Sequence, residues 1–529
     1  MYQQVLDPLF GSLGLSALAA ALPLLVLFVL LGVVRMAAWK ASLISLLVAL
    51  VVAVLVYPMP VGPAVLSATL GAAFGFFPIL WIVINAIWVY NMTVTTGHFA
   101  VLQRSFSRVS GDRRIQAVII AFCFGALLEA LAGFGTPVAI TTVMLLALGI
   151  SPITAAVVAL VANTAPVAFG ALASPLVTLA SVTDLPLAEL GAMTGRQTPL
   201  LAVFVPIVLV GILDGMKGVR QTLPATLTCG ITFALAQFVA ANYISVPLTD
   251  IIASLVAAGA TVLLLKVWTP AGADESEASA ETDSRGQVAR SYLPYLIIIA
   301  VFVVAQLGPV NDLLDAVTVK FNWPGLQITD VSGEELSLTE FKFNWLTSAG
   351  SLLLIAGALS IPAIRIDPRR AVERYLSTYA QLKWPIVTVM SVLAIAYVMN
   401  ASGQTATLGS WMAGAGGVFA LISPILGWLG TAVTGSDTSS NSLFGALQVA
   451  AANKVGIDPT LAAAANGSGG VLGKMISPQN LAIAAGAVGM SGKEGDIFRR
   501  VLPWSLVFLV AMCVLAYLQS LPVLAWMVP

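Results

Sequence analysis

The sequence predicts an all-α polytopic membrane protein. Two inverted-topology repeats with broken or re-entrant helices meet at the midplane, and roughly 12–14 membrane segments fit at about 20 residues per span. Three observations carry this reading. The composition cannot clothe a water-facing surface, long apolar runs recur along the chain, and two interrupted regions repeat one another from opposite sides.

Of 529 residues, 59% are hydrophobic and 9% charged, whereas a soluble protein carries roughly 25% charged residues. Lys+Arg and Asp+Glu balance to a net charge of zero, so no nucleic-acid partner is implied; the expected surroundings are the lipid bilayer. Cys123, Cys229 and Cys513 lie far apart in sequence, and His98 is the single histidine. A disulfide framework, a metal site and most histidine-based catalysis are therefore not expected, nor is a cofactor. No positive region precedes the first apolar run, only Asp7, so residues 8–31 read as a retained helix rather than a cleaved leader.

Apolar stretches run near 8–31, 41–57, 64–92, 199–213, 222–240, 246–267, 292–310, 346–362, 384–400, 410–430 and 501–520. Basic residues cluster at Arg35/Lys40, Arg104 to Arg114, Lys217/Arg220, Arg365 to Lys383 and Lys493 to Arg500. The positive-inside rule makes these cytoplasmic and both termini external. A polar, low-complexity stretch at 269–290 reads as a disordered cytoplasmic linker. It separates an N-terminal half (1–268) from a C-terminal half (291–529). In the acidic segment 312–345, the alternation in "VTVKFNW" and "LSLTEFKFNW" suggests a small external β-hairpin, with an irregular loop as the plainer alternative.

Between the apolar runs lie two regions, 115–195 and 431–492, broken by Gly, Pro, Asn, Ser and Thr. "NTAPVAFGALASP" from Asn163 and "NGSGGVLGKMISP" from Asn466 both read Asn, six residues, Gly, three residues, Ser-Pro. Upstream, "GISP" matches "GIDP", and "GFGTP" from Gly133 takes the place of "GSDTS" from Gly435. The helix leading to Gly133 starts from the basic pair Arg113-Arg114. The helix leading to Gly435 follows a span that left the cytoplasm at Lys383. One motif approached from both faces is an inverted repeat, the architecture of secondary transporters.

The stretch "ANGSGGVLGKMISPQN" superficially resembles a phosphate loop, but Ser468 stands where the first Gly is required and Met475 where the magnesium-binding hydroxyl is required. The breaks instead suit a small carboxylate. Non-helical backbone in a membrane must be buried in protein or line a wet cavity. Thr136-Pro137, Ser174-Pro175 and Ser477-Pro478 each place a hydroxyl cap before a helix-starting proline. Asp437-Thr438 can cap the helix through Ser439, Ser440 and Asn441. Helix N-termini attract anions, and the backbone of Gly467, Gly469 and Gly470 can add donors. Gly133, Gly135 and Gly435 mark the remaining breaks. Packing glycines and capping serines in a crowded bundle account equally well for any single small residue.

Intramembrane charge is costly and usually functional. Lys474 would supply full charge to a substrate carboxylate, with hydrogen bonds from Asn163, Thr164, Thr136, Ser436, Thr438, Ser439, Ser440, Asn441, Asn466, Ser468 and Gln479. Glu129 and Asp437 are the acids able to couple a proton. Glu129 has chiefly apolar sequence neighbours, which selects it as proton carrier and leaves Asp437 as organiser of the second break. The alternatives are a fixed Glu129–Lys474 salt bridge and an N-cap role for Asp437. His98 reads as a solvated boundary residue.

"GALLEALAGFGTPVAI", "ANTAPVAFGA", "GSDTSSNSLFGALQ" and "GGVLGKMISPQNLAIA" resemble the signature blocks of the bacterial lactate permeases, the lactate/glycolate:proton symporters. The resemblance extends from the first helix to the last. It implies transport of short 2-hydroxymonocarboxylates with a proton in the prokaryotic cytoplasmic membrane. More distantly, the architecture is similar to the ion-transporter superfamily. The chain departs from the pattern at Ala130, where the family's blocks often have Gly. A sodium-coupled carboxylate carrier is the alternative on the same fold. The Gly-x-Gly-Asp and His-Glu-x-x-His motifs of intramembrane proteases are absent from the sequence, and a channel fits midplane acids and an inverted repeat less well.

Overall fold

The computed structural model describes residues 2–107, 109–131, 133, 135–270, 283–305, 307–331, 333, 335–336, 339–490 and 493–529. Among them, nine helices are long and apolar enough to cross a membrane. Strand β1 (Tyr2–Gln3) precedes α1 (Leu13–Phe28), α2 (Ala38–Leu55), α3 (Val61–Phe74) and α4 (Trp81–Thr95). The short α5 (His98–Ser107) follows. His98 is half-buried rather than solvated, and burial beside Arg290 holds its imidazole below the ordinary value.

The first interrupted region opens with a helical hairpin. Helix α6 (Arg113–Val118) continues through a widened turn into α7 (Gly125–Leu131), and α8 (Thr136–Ala147) returns. Asp112 caps α6 by accepting the Arg114 and Ile115 N–H groups. At the hairpin base the Arg113 guanidinium donates to the Gly149 carbonyl. At its tip Gly133 and Gly135 take φ of 47° and 80°, conformations that favour glycine. Gly135, not the expected Thr136 hydroxyl, occupies the cap position of α8. Next, α9 (Pro152–Ala162) and α10 (Gly170–Thr183) form one span bent by 62° at its break. There Ala171, Leu172 and Ala173, at φ of 42°, 50° and 60°, make a left-handed turn before Pro175. Each such residue costs about 1–2 kcal/mol, so neighbouring packing must hold the turn. Helices α11 (Leu187–Ala202), α12 (Val205–Val239) and α13 (Thr249–Leu265) complete this half. A reversal at Gly215 (φ 64°) divides α12, as the Lys217/Arg220 cluster led us to expect.

The expected 269–290 linker lies mostly outside the described residues, and from Arg285 the chain is helical: α14 (Arg285–Ala305) begins there. After α15 (Gly308–Asp315) come β2 (Val319–Asn322), β3 (Ile328–Thr329) and β4 (Glu340–Phe343). Strands β2 and β4 pair antiparallel, Val319 opposite Phe343, which is the hairpin the alternation suggested. β1 pairs parallel with β3, so the chain start and this loop share one face. Helices α16 (Ala349–Ala363), α17 (Pro368–Ser402) and α18 (Gln404–Met412) lead to the second hairpin, α19 (Phe419–Thr434) and α20 (Asp437–Val455). Its tip is Gly435, at φ 77°. A second broken span follows, α21 (Pro459–Lys474) and α22 (Pro478–Ala487), and α23 (Glu494–Gln519) ends the bundle. Each half thus carries a hairpin and then an interrupted helix pair.

The glycine run also departs from expectation. Gly467, Gly469 and Gly470 do not break a helix; they lie inside α21, and the break comes after Lys474. The run serves close approach instead. A Cβ on Gly469 would strike the Pro424 carbonyl, one on Gly473 the Trp428 carbonyl, and one on Gly427 the Asn466 carbonyl. Small residues let α19 and α21 touch backbone to backbone, a packing mode suited to membranes. The cysteines also differ from their sequence spacing: the Cys123 and Cys229 sulfurs are 3.5 Å apart in the buried core, as free thiols.

Candidate functional site

The two hairpin tips and the two span breaks meet at one cavity of about 1010 Å³. Gly133, Gly170, Ala171, Ser174 and Pro175 of the first repeat line it. Gly435 to Ser439, Lys474, Pro478 and Gln479 of the second face them, with Glu129 between. Arg35, Trp39, Trp384 and Glu494 carry the cavity towards the end of the bundle that bears the basic clusters. Trp39 and Trp384 stack there at 4.4 Å. No local motif in the sequence pointed to either tryptophan.

The cavity's charge centre is an ion pair. Lys474 Nζ donates to Glu129 Oε1 at 2.5 Å, with side-chain exposures of 8% and 3%. Asn163 Nδ2 donates to the other carboxylate oxygen at 2.9 Å. Gly170 makes room for this carboxylate, since a Cβ there would lie 2.8 Å from Glu129 Oε1. Glu129 therefore does not have the apolar surroundings that its sequence neighbours suggested. Lys474 is the last residue of α21, where a cation also complements the helix C-terminus. Immediately beyond it, Ser477 caps α22 by accepting the Asn480 N–H, as its Ser-Pro signature indicated.

Asp437 is buried at the start of α20 and faces the cavity. It does not cap its helix: Ser436 does, accepting the Ser439 N–H at 3.2 Å. Among the described residues the carboxylate receives only long contacts, Thr431 Oγ1 at 3.4 Å and Asn441 Nδ2 at 3.5 Å. Gly470 leaves space for it, because a Cβ there would collide with Asp437 Oδ1.

Of the polar residues expected at the substrate, Lys474, Ser436, Thr438, Ser439 and Gln479 line the cavity. Thr136, Asn163, Thr164, Ser440, Asn441, Asn466 and Ser468 are not among its lining residues. Several of these brace the wall instead. Asn441 Nδ2 donates to the Pro175 carbonyl at 3.1 Å, tying the second repeat to the first break. Asn466 donates to Asn441 Oδ1 at 2.9 Å and accepts from Gln448 at 3.1 Å. Ser440 donates to the Gly427 carbonyl, Ser468 to Gln197, and Thr164 to the Val161 carbonyl. Among the described residues no cluster of three or more His, Cys, Asp or Glu could hold a metal.

A buried cation and a buried acid thus line one cavity between the two breaks. The L-lactate permease profile matches residues 16–523. An L-lactate permease of Bacillus subtilis is 41% identical over the full length of both chains. One of Escherichia coli K12 is 40% identical, also over both full lengths. The glycolate permease GlcA of the same strain is 39% identical over 96% of each. The chain belongs to the L-lactate permease family.

Proposed function

We propose that this protein carries lactate, and related short 2-hydroxymonocarboxylates such as glycolate, across the prokaryotic cytoplasmic membrane together with one proton. The observation that carries the reading is the Glu129–Lys474 pair, set in the wall of the cavity where the repeats meet. Its kinship with L-lactate and glycolate permeases supports the choice of substrate.

Coupling follows from competition for one cation. A substrate carboxylate that takes Lys474 displaces Glu129, whose charge then has no counter-ion in a membrane interior. An unpaired buried charge is costly, so substrate occupies the site when a proton neutralises Glu129. The empty site holds one cation and one anion; the loaded site holds one cation, one substrate anion and a neutral acid. Neither form adds net charge. Ser436, Thr438, Ser439 and Gln479 present hydroxyl and amide groups to the substrate's 2-hydroxyl, and Asp437 stands beside them in the cavity wall at the second hairpin tip. Orientation with both termini external follows from the basic clusters.

Glu129→Gln tests the scheme, because it imitates the neutral acid. Lactate–lactate exchange in proteoliposomes persists while net pH-driven uptake is lost. Net uptake at the wild-type rate would show that the coupling proton binds elsewhere.

A further inference from the structure

Away from the cavity, another acid is buried in the bundle. Asp250 is the second residue of α13 and is fully buried. Gln237 Nε2, from α12, donates to Asp250 Oδ1 at 2.9 Å and also to the Ala165 carbonyl at 3.2 Å. Ala165 lies in the break between α9 and α10, two residues after the Asn163 that holds Glu129. Asp250 Oδ2 is buried and has no hydrogen-bond partner among the described residues. Thr198 Oγ1 completes the cluster with a long contact, 3.5 Å, to Gln237 Oε1.

The charges around Asp250 are few. Helix α7, which packs against α13, contributes Glu129. Helix α12 contributes the neutral Gln237; its Asp214, Lys217 and Arg220 lie about five turns or more away along the helix. Helix α10 has no charged residue before Asp184 at its far end. The turn at Ile119–Phe124 offers Cys123, whose sulfur is against Cys229, and the turn at Ala240–Ile244 offers Tyr243, which is exposed. Among the described residues no cation lies within ion-pair distance of Asp250.

A buried carboxylate without a cation needs a metal ion, a proton or a dense set of donors. The converging acceptors Asp250 Oδ1 and Ala165 O already share an amide N–H₂, so a donor fills the place that a cation such as sodium would take. One oxygen of the carboxyl remains open. We propose that Asp250 is a second proton-binding site, coupled to the Glu129–Lys474 pair through Gln237 and the backbone of the first break. Two acids that share a neighbourhood release protons as a pair. A charge on Asp250 then favours retention of the proton on Glu129, and loss of a proton from Glu129 favours uptake at Asp250. The bridge to Ala165 transmits the state of Asp250 to the turn that positions Asn163. This extends the coupling scheme above, but the titration itself requires no substrate.

The test is infrared pH-difference spectroscopy on the full-length protein in lipid bilayers without lactate. Asp250→Asn removes one carboxylic-acid C=O band and Glu129→Gln removes another; each substitution moves the midpoint of the band that remains by on the order of one pH unit. An Asp250→Asn spectrum identical to wild type overturns the proposal, because an acid serving only the helix N-terminus does not titrate in this range. Loss of the band with no shift at Glu129 overturns the coupling. If Asp250→Asn fails to insert, Gln237→Leu serves, since removing the amide moves the Asp250 band; an unmoved band counts against the proposal. Failure of lactate transport in a separate flux assay would sink the functional reading while leaving these bands to be judged on their own.

Discussion

Breaking the Glu129–Lys474 pair from either side has unequal costs, and the geometry sets their size. At 2.5 Å the attraction at an effective dielectric of 20 is about 6–7 kcal/mol. Taking two ions out of water costs several kcal/mol each, so the intact pair contributes little net stability. Lys474→Met removes the attraction and leaves Glu129 buried with only Asn163 as donor; the expected loss is about 3–5 kcal/mol. Glu129→Gln strands a lysine that is equally enclosed, at a similar cost. The double substitution leaves neither charge, and its loss falls well below the sum of the two singles. A double-mutant cycle on unfolding of the detergent-solubilised protein, read with lactate binding, measures this. Lys474→Met also abolishes binding. Single losses that add to within about 0.5 kcal/mol would refute the pair, and near-normal lactate affinity in Lys474→Met would make the lysine structural.

Asp437→Asn lowers both exchange and net uptake, since it alters the cavity wall and the hairpin tip together; intact exchange with lost net uptake would exchange its role with that of Glu129. Gly469→Ala forces α19 and α21 apart and costs about 1–3 kcal/mol, visible as a lower melting temperature, whereas Gly486→Ala, which meets open space, changes little. Ala173→Gly relieves a left-handed residue and stabilises by about 0.5–1 kcal/mol; a destabilised protein would show that the turn is not strained. Ser477→Ala removes the cap of α22 and costs about 1 kcal/mol, with a matching loss of affinity if the second break positions Lys474.

The inverted repeat was legible because its signals are local. Ser-Pro starts, Gly tips and basic clusters each act within a turn or two of chain, and they placed both hairpins and both breaks. The charged centre was legible for a different reason: three ionisable residues stood in apolar surroundings where such residues are rare. The Glu129–Lys474 salt bridge, between residues 345 apart, stood in the sequence reading as the alternative to a free proton carrier; Asn163 as the second partner of the carboxylate was not legible. The Gly467–Gly470 run misled because glycine signals both looseness and close packing. What decides between them here is the Pro424 carbonyl, supplied by another helix. Asn466, Ser440 and Ser468 carry the right chemistry for a ligand, but packing turns their side chains towards Asn441, Gly427 and Gln197. Asp250 had no motif around it, and in sequence it reads as an ordinary first-turn acid.

The central claim is that one proton crosses with one monocarboxylate and no net charge moves. Uptake of labelled lactate by the purified protein in proteoliposomes, with pH gradient and voltage imposed separately, tests it most directly. One pH unit is worth about 1.36 kcal/mol and should drive roughly tenfold accumulation, competed by glycolate, while a valinomycin potential at equal pH drives almost none. Strong accumulation under voltage alone, or under a sodium gradient at equal pH, would contradict the account.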